Sequence, residues 1–324
     1  LIMVLIGGKS IIAGSMETGE LTSVIVYALQ IIGSLMMVTF VFVMIMIAEA
    51  SSDRITEVMN EIPEMQDQPD AVTEVPNGDI VFDHVDFSYA GEGGNLSLKN
   101  VNLHIESGQT IGIIGGTGSG KSSLVNLIPR FYDVREGAVL VDGVNVKDYR
   151  LETLREKIGV VPQKAILFKG TLRENMKWGR KDATDEEIYR ALDIAQAREF
   201  VDSKEKGLDL YIDQAGKNLS GGQKQRLTIA RALVREPEIL IMDDSASALD
   251  FATDAKLRMA IQKGTKDMTV FIVSQRATTI RHADQIVVLD DGAAVGIGTH
   301  EELFENCEVY REICLSQLSK EEVQ

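Results

Sequence analysis

From Leu21 to Ala48 the chain runs 28 residues without an Asp, Glu, Lys or Arg. About 20 such residues already cross the hydrocarbon of a bilayer, so the stretch predicts a transmembrane helix. At about 1.5 Å per residue it would reach roughly 42 Å, more than the hydrocarbon thickness, which calls for tilt or a continuation into water. Leu1 to Ala13 is also apolar but shorter, with Gly7, Gly8 and Lys9 inside it, and reads as the tail of another membrane helix in a truncated chain that opens on Leu rather than Met. Gly14 to Glu20 is then a polar turn between two antiparallel helices.

Past Glu49 the sequence turns polar, and a helical pattern through Ile55, Val58 and Met59 runs out before Pro63. The expected organisation follows. Residues 1–60 carry two membrane helices, about 1–13 and 21–49, and a cytosolic extension. Residues 61–78, with Pro63, Pro69 and Pro76, form a linker, and 79–324 form a soluble domain. With 33 basic against 49 acidic side chains and a net charge of −16, the chain as a whole is poorly suited to gripping nucleic-acid phosphates. Cys307 and Cys314, seven residues apart, suit one helix face better than a disulfide framework and imply a reducing compartment.

Within the soluble part, Val85, Phe87 and Tyr89 alternate, as do Val101, Leu103 and Ile105, the pattern of half-buried antiparallel strands. Thr110 to Ile114, Glu238 to Met242, Thr269 to Val273 and Gln285 to Leu289 are short apolar runs, as expected of parallel strands buried on both faces. Thr184 with Glu187 and Thr299 with Glu302 match reciprocal capping boxes. The fold class is α/β, with a small antiparallel layer and a helical insert around 170–230.

Directly after the strand ending at Ile114 stands Gly115-Gly116-Thr117-Gly118-Ser119-Gly120-Lys121-Ser122, the G-x-x-x-x-G-K-S phosphate loop in its strand–loop–helix setting. Glycines let successive backbone N–H groups turn onto a polyphosphate, and the following helix offers its positive end. Lys121 supplies charge to the β- and γ-phosphates, Ser122 a hydroxyl to Mg²⁺ and Ser123 a further donor, so ATP and Mg²⁺ are the expected ligands. Asp243, closing the apolar run Ile239 to Met242, is the expected metal carboxylate. The four histidines show no metal or triad spacing, and Arg226 to Arg235 reads as a solvated helix face.

Leu219-Ser220-Gly221-Gly222-Gln223, followed by Lys224-Gln225-Arg226, closely resembles the signature of ATP-binding cassette (ABC) transporters. Ser220 and Gln223 also fit a capping box, and Gly221 and Gly222 permit close approach of a ligand. The resemblance covers about 79–315 and implies further roles. Tyr89 lies where the family stacks adenine, Gln163 in its glutamine loop, and Ser247-Ala248-Leu249-Asp250 in its D-loop; Gln163 is thereby implied as a metal and water ligand. Leu167 to Thr171 lies where the family's coupling helices dock. The implied protein is a P-loop half-transporter of the exporter type, whose two cassettes sandwich ATP head to tail. It is expected to be multi-pass in the cell membrane, with its cassette in the cytoplasm.

Three positions depart from the family pattern. Active cassettes have Glu where this chain has Asp244, and His where it has Gln275; Gln214 replaces an acidic residue usual in exporters. Asp244 retracts the carboxylate by a methylene, and an amide at Gln275 cannot supply the charge of an imidazolium. The signature, by contrast, is intact. The sequence therefore suggests a subunit that holds ATP tightly, cleaves it slowly and completes the active site of a different partner, in the manner of bacterial heterodimeric multidrug exporters of small amphipathic molecules. A homodimeric exporter and an ATP-gated channel or regulator are the alternatives.

Overall fold

A computed structural model describes residues 2–63, 65–245, 250–265 and 267–317. Its contacts divide into two units, Leu1–Met65 and Gln66–Gln324.

In the first unit, α1 (Ile2–Ile12) and α2 (Thr18–Met59) are joined by a turn in which Gly14 takes φ +71°. Gly7 is buried because the Leu21 side chain occupies the space a Cβ would need. The charge-free run and the later polar pattern are one helix of 42 residues, roughly 63 Å at about 1.5 Å per residue. Its hydroxyls are folded back on the preceding turn: Ser34 Oγ donates to Gln30 O at 2.9 Å and Thr39 Oγ1 to Leu35 O at 3.0 Å. That arrangement pairs these serine and threonine hydroxyls within the helix, as an apolar medium favours. Among the described residues α2 is the one helix long and apolar enough to cross a membrane, and its apolar window has no residue buried in protein.

The second unit begins with a strap. The stretch read from sequence as a linker is fixed to the domain from residue 66 onward. Val72 N donates to Asp148 O at 2.8 Å, Arg150 N donates to Val72 O at 2.9 Å, and Val75 is only 3% exposed. The prolines prevent regular structure there, but they do not prevent ladder-like bonding on one side of an extended chain.

Strands β1 (Ile80–Phe87) and β2 (Leu98–Ile105) pair antiparallel, and β1 also pairs with β4 (Glu136–Val141), which continues to β5 (Val144–Asn145). Val85 and Phe87 share the buried face as expected, and a bulge at His84 (φ +49°) ahead of them brings Ile80 and Phe82, of the opposite register, to point inward as well. Tyr89, expected on that strand, falls in the turn beyond it.

A second sheet has the order β12-β11-β3-β10-β9-β6. It contains β3 (Thr110–Gly115), β6 (Ile158–Val161), β9 (Ile239–Asp243), β10 (Thr269–Val273) and β11 (Gln285–Asp290), all parallel, with β12 (Ala293–Gly298) antiparallel on the edge. Each central strand sends alternate side chains to two cores. Ile111, Ile113, Ile239, Ile241, Phe271 and Val273 face the antiparallel layer. Ile114, Leu240, Met242, Val270 and Ile272 join the helical side. Burial on both faces explains why these runs read as continuous apolar sequence.

Between β3 and β4 lies α3 (Lys121–Leu127), and α4 (Leu151–Glu156) precedes β6. The helical insert holds α5 (Leu172–Lys177), α6 (Asp185–Ile194), α7 (Arg198–Asp202) and α8 (Gly221–Leu233), with Gly170–Thr171 and Tyr211–Ile212 as a small ribbon, β7 and β8. Then follow α9 (Phe251–Gly264), α10 (Ala277–Ile280), α11 (His300–Asn306) and α12 (Glu308–Gln317). Capping boxes form at Thr184/Glu187, Ser220/Gln223 and Thr299/Glu302 as expected, and a further one at Thr171/Glu174. Another expectation also fails. Arg226, Arg231 and Arg235 are not a solvated face: they donate to the carbonyls of Gln196 (2.7 Å), Ile166 (3.0 Å) and Gly179 (3.2 Å). Short helices and loops leave carbonyls without intrahelical donors, and these guanidinium groups satisfy them.

Candidate functional site

The phosphate loop joins the carboxyl end of β3 to α3. Gly120 ends it at φ +99°, with the Ser97 carbonyl 2.7 Å from where a Cβ would stand, so only glycine fits. Gly116, Thr117 and Gly118 are exposed, while Gly115 is buried against Leu289 and Ser119 is buried beneath the loop. Lys121, 9% exposed, turns back over the loop, its Nζ donating to Gly115 O at 3.0 Å and Gly116 O at 2.6 Å. Burial lowers its pKa, and the carboxylates of Asp243 and then Asp244 pull it back up. The Lys121 amine thus sits in a poorly solvated place beside two carboxylates, suited to meeting a phosphate.

Asp243, the last residue of β9, accepts a hydrogen bond from Ser122 Oγ at 3.0 Å. One hydroxyl and one carboxylate, both hard oxygen donors at the mouth of a phosphate loop, fit Mg²⁺, which keeps most of its shell for water and phosphate. Among the described residues no cluster of three or more His, Cys, Asp or Glu could hold a metal by itself. Burial raises the Asp243 pKa; Ser122 opposes that shift and Asp244 adds to it. A carboxyl whose folded pKa exceeds its unfolded value destabilises the fold when ionised, and the penalty disappears as pH falls to the unfolded value. Asp243→Asn is therefore expected to raise the thermal midpoint at neutral pH, and the gain should shrink as pH falls toward 3.8, while Mg²⁺-dependent nucleotide binding is lost. Melting curves with and without Mg-ATP across pH 4–8 (~0.5-unit steps) check both halves.

Asp244 follows with φ +45°, a left-handed conformation that aspartate tolerates better than most residues. Its Oδ2 accepts from Gln163 Nε2 at 3.2 Å, so the loop after β6 and the end of β9 meet here. Gln163, Ser122 and Asp244 lie toward solvent, whereas Ser123 is buried. Tyr89 is 55% exposed, packs edge-on against Phe87 (4.7 Å) and Tyr132 (5.0 Å), and its hydroxyl lies 3.0 Å from Ser123 Oγ. The aromatic position is thereby tied to α3, a link the sequence did not reveal.

Gln275 lies past β10 with its side chain in solvent. The signature is elsewhere: Ser220 Oγ accepts from Gln223 N at 3.3 Å, Ser220 N donates to Gln223 Oε1 at 2.9 Å, and Gly221 and Gly222 open α8. α8 packs on α5, α6 and β6, whereas α3 packs on β3, β9 and β10. One domain thus carries two separate anion-suited helix starts. Asp250 caps α9, accepting from Thr253 N at 2.9 Å and Thr253 Oγ1 at 2.8 Å, bonds that lower its pKa. Ser247, Ala248 and Leu249 lie outside the described residues.

A glycine loop behind the central strand of a largely parallel sheet, with lysine folded over it and aspartate at the end of the next strand but one, defines a P-loop nucleotide-binding domain. Residues 98–247 match the ABC transporter family, and the chain belongs to it. It is 42% identical over 315 residues to YfiB, an uncharacterized ABC transporter ATP-binding protein of Bacillus subtilis, covering 97% of this chain and 54% of that one. A putative multidrug export ATP-binding/permease protein of Staphylococcus aureus is 46% identical over 230 residues, 71% of this chain and 40% of that one. The solved structure of a bacterial Atm1-family ABC exporter with ATP bound superposes with a TM-score of 0.84 at 30% identity, over 98% of this chain and 56% of that chain. The chain spans about half the length of these relatives.

Proposed function

We propose that this chain is the ATP-binding and carboxyl-terminal permease portion of an ABC exporter, in which ATP binding and hydrolysis drive a small amphipathic molecule out across the cell membrane. The observation that carries this reading is one chain holding both α2, an apolar helix long enough for a bilayer, and a phosphate loop with Lys121, Ser122 and Asp243 gathered at one end of the sheet. The relatives named for multidrug export support the transport class.

In this proposal Gly115 to Gly120 wrap the phosphates, Lys121 neutralises the β- and γ-oxygens, and Tyr89 offers a ring to adenine. Ser122, Asp243 and Gln163 would hold Mg²⁺, which supplies charge neutralisation at the β- and γ-phosphates when bound. Asp244 and Gln275 orient the attacking water and the γ-phosphate. Asp244 is a methylene short of the glutamate that active cassettes use, and a misplacement of about 1 Å can cost roughly 10²-fold in rate. Gln275 brings no formal charge. Ser220 to Gln223 complete a site on a second half-transporter, with Asp250 beside the shared interface.

The chain is therefore a slow ATPase that works as one half of an unequal pair. Steady-state ATPase measured on this chain alone, and with a half-transporter carrying Glu and His at the equivalent positions, tests the pairing. Turnover only in the mixed complex supports it; brisk turnover by this chain alone would establish a self-paired exporter.

A further inference from the structure

The segment after β10 is held from the carboxyl end of the domain. Gln317, in the last described turn of α12, makes a two-point contact with the backbone on either side of Arg276: its Nε2 donates to Gln275 O at 2.7 Å, and its Oε1 accepts from Ala277 N at 2.9 Å. Ala277 N belongs to the first turn of α10, where backbone donors have no helical partner. A carboxamide is the side-chain group of this length that presents one donor and one acceptor in a plane, and it meets one acceptor and one donor here. On the other flank Ser274 Oγ accepts from Arg276 N at 2.9 Å, while Ser274 N donates to Ile113 O in β3 at 3.0 Å. The backbone of Gln275 is thus pinned while its side chain stays in solvent.

We propose that Gln317 is a positioning residue for Gln275: it fixes the backbone from which the Gln275 amide reaches the γ-phosphate. This rests on the ATP-site reading above. Gln317 itself touches no nucleotide; its effect passes through one neighbour. A residue acting this way governs how ATP is told from ADP, because only ATP carries the phosphate that Gln275 would meet.

The test is equilibrium binding of fluorescent MANT-ATP and MANT-ADP, in Mg²⁺, to the purified chain in detergent. Gln317→Ala is expected to reduce the preference for ATP over ADP about tenfold, near the lower end of the worth of one hydrogen bond to a charged group, with ADP affinity unchanged. Gln317→Glu keeps the length and the acceptor but loses the donor, and should behave alike, which serves if alanine disturbs the helix end. Gln275→Ala should show the same loss, and adding Gln317→Ala to it should change nothing more, since both act on one contact. Additive losses, or a parallel fall in ADP affinity, would overturn the proposal. Binding by the parent that does not depend on Lys121 would instead overturn the ATP-site reading, and this one with it.

Discussion

Lys121→Ala is expected to weaken ATP binding by about 10²-fold or more. In the protein as it stands the ammonium bonds two loop carbonyls, those of Gly115 and Gly116, and lies almost wholly out of solvent. Removing one member of a desolvated, hydrogen-bonded charge pair costs roughly 2–5 kcal/mol, and about 1.4 kcal/mol is a factor of ten. The alanine variant also strands those two carbonyls, so the loop itself should loosen. Titration with MANT-ATP measures the affinity. A loss under about threefold would mean that the nucleotide's phosphates are not held at this loop.

The second large effect is a gain. If slow hydrolysis stems from the retracted carboxylate at Asp244 and the neutral amide at Gln275, then Asp244→Glu together with Gln275→His should raise turnover at this site about 10²-fold. The pair is proposed because each group acts on a different charge: the glutamate on the proton of the attacking water, the imidazole on the γ-phosphate oxygens. Position 244 adopts φ +45°, which glutamate tolerates less well than aspartate, so a small drop in melting temperature should accompany the gain. Single-turnover hydrolysis of γ-labelled ATP is the measurement. Unchanged rates in the double variant would place the limit in dimer closure rather than in these two side chains.

Much of this was legible in the sequence because it rests on local rules. A glycine loop after an apolar run, a capping box three residues apart and a long charge-free stretch each specify their own structure, and Gly120, Thr184 and Leu21 to Ala48 took the expected forms. What the sequence concealed depends on distant residues meeting. Gln317 reads as an ordinary helix-end residue until its contact with Gln275 is seen. The arginines of α8 and of the turn just after it look solvated until the carbonyls of Gln196, Ile166 and Gly179 arrive from other elements. His84 has no signal for a positive φ, so the bulge that shifts the alternation of β1 could not be read from its apolar pattern.

The strap at residues 66–75 has a practical consequence for anyone cutting the cassette free for expression. A fragment started at Asp79, where the composition changes, would remove Val75 from the core. It would also strip Leu151 N of the Asp67 carboxylate, which accepts from it at 2.8 Å where α4 begins. The sound place for the scissors is ahead of Gln66, thirteen residues upstream of Asp79, the point at which the chain begins to look like a domain.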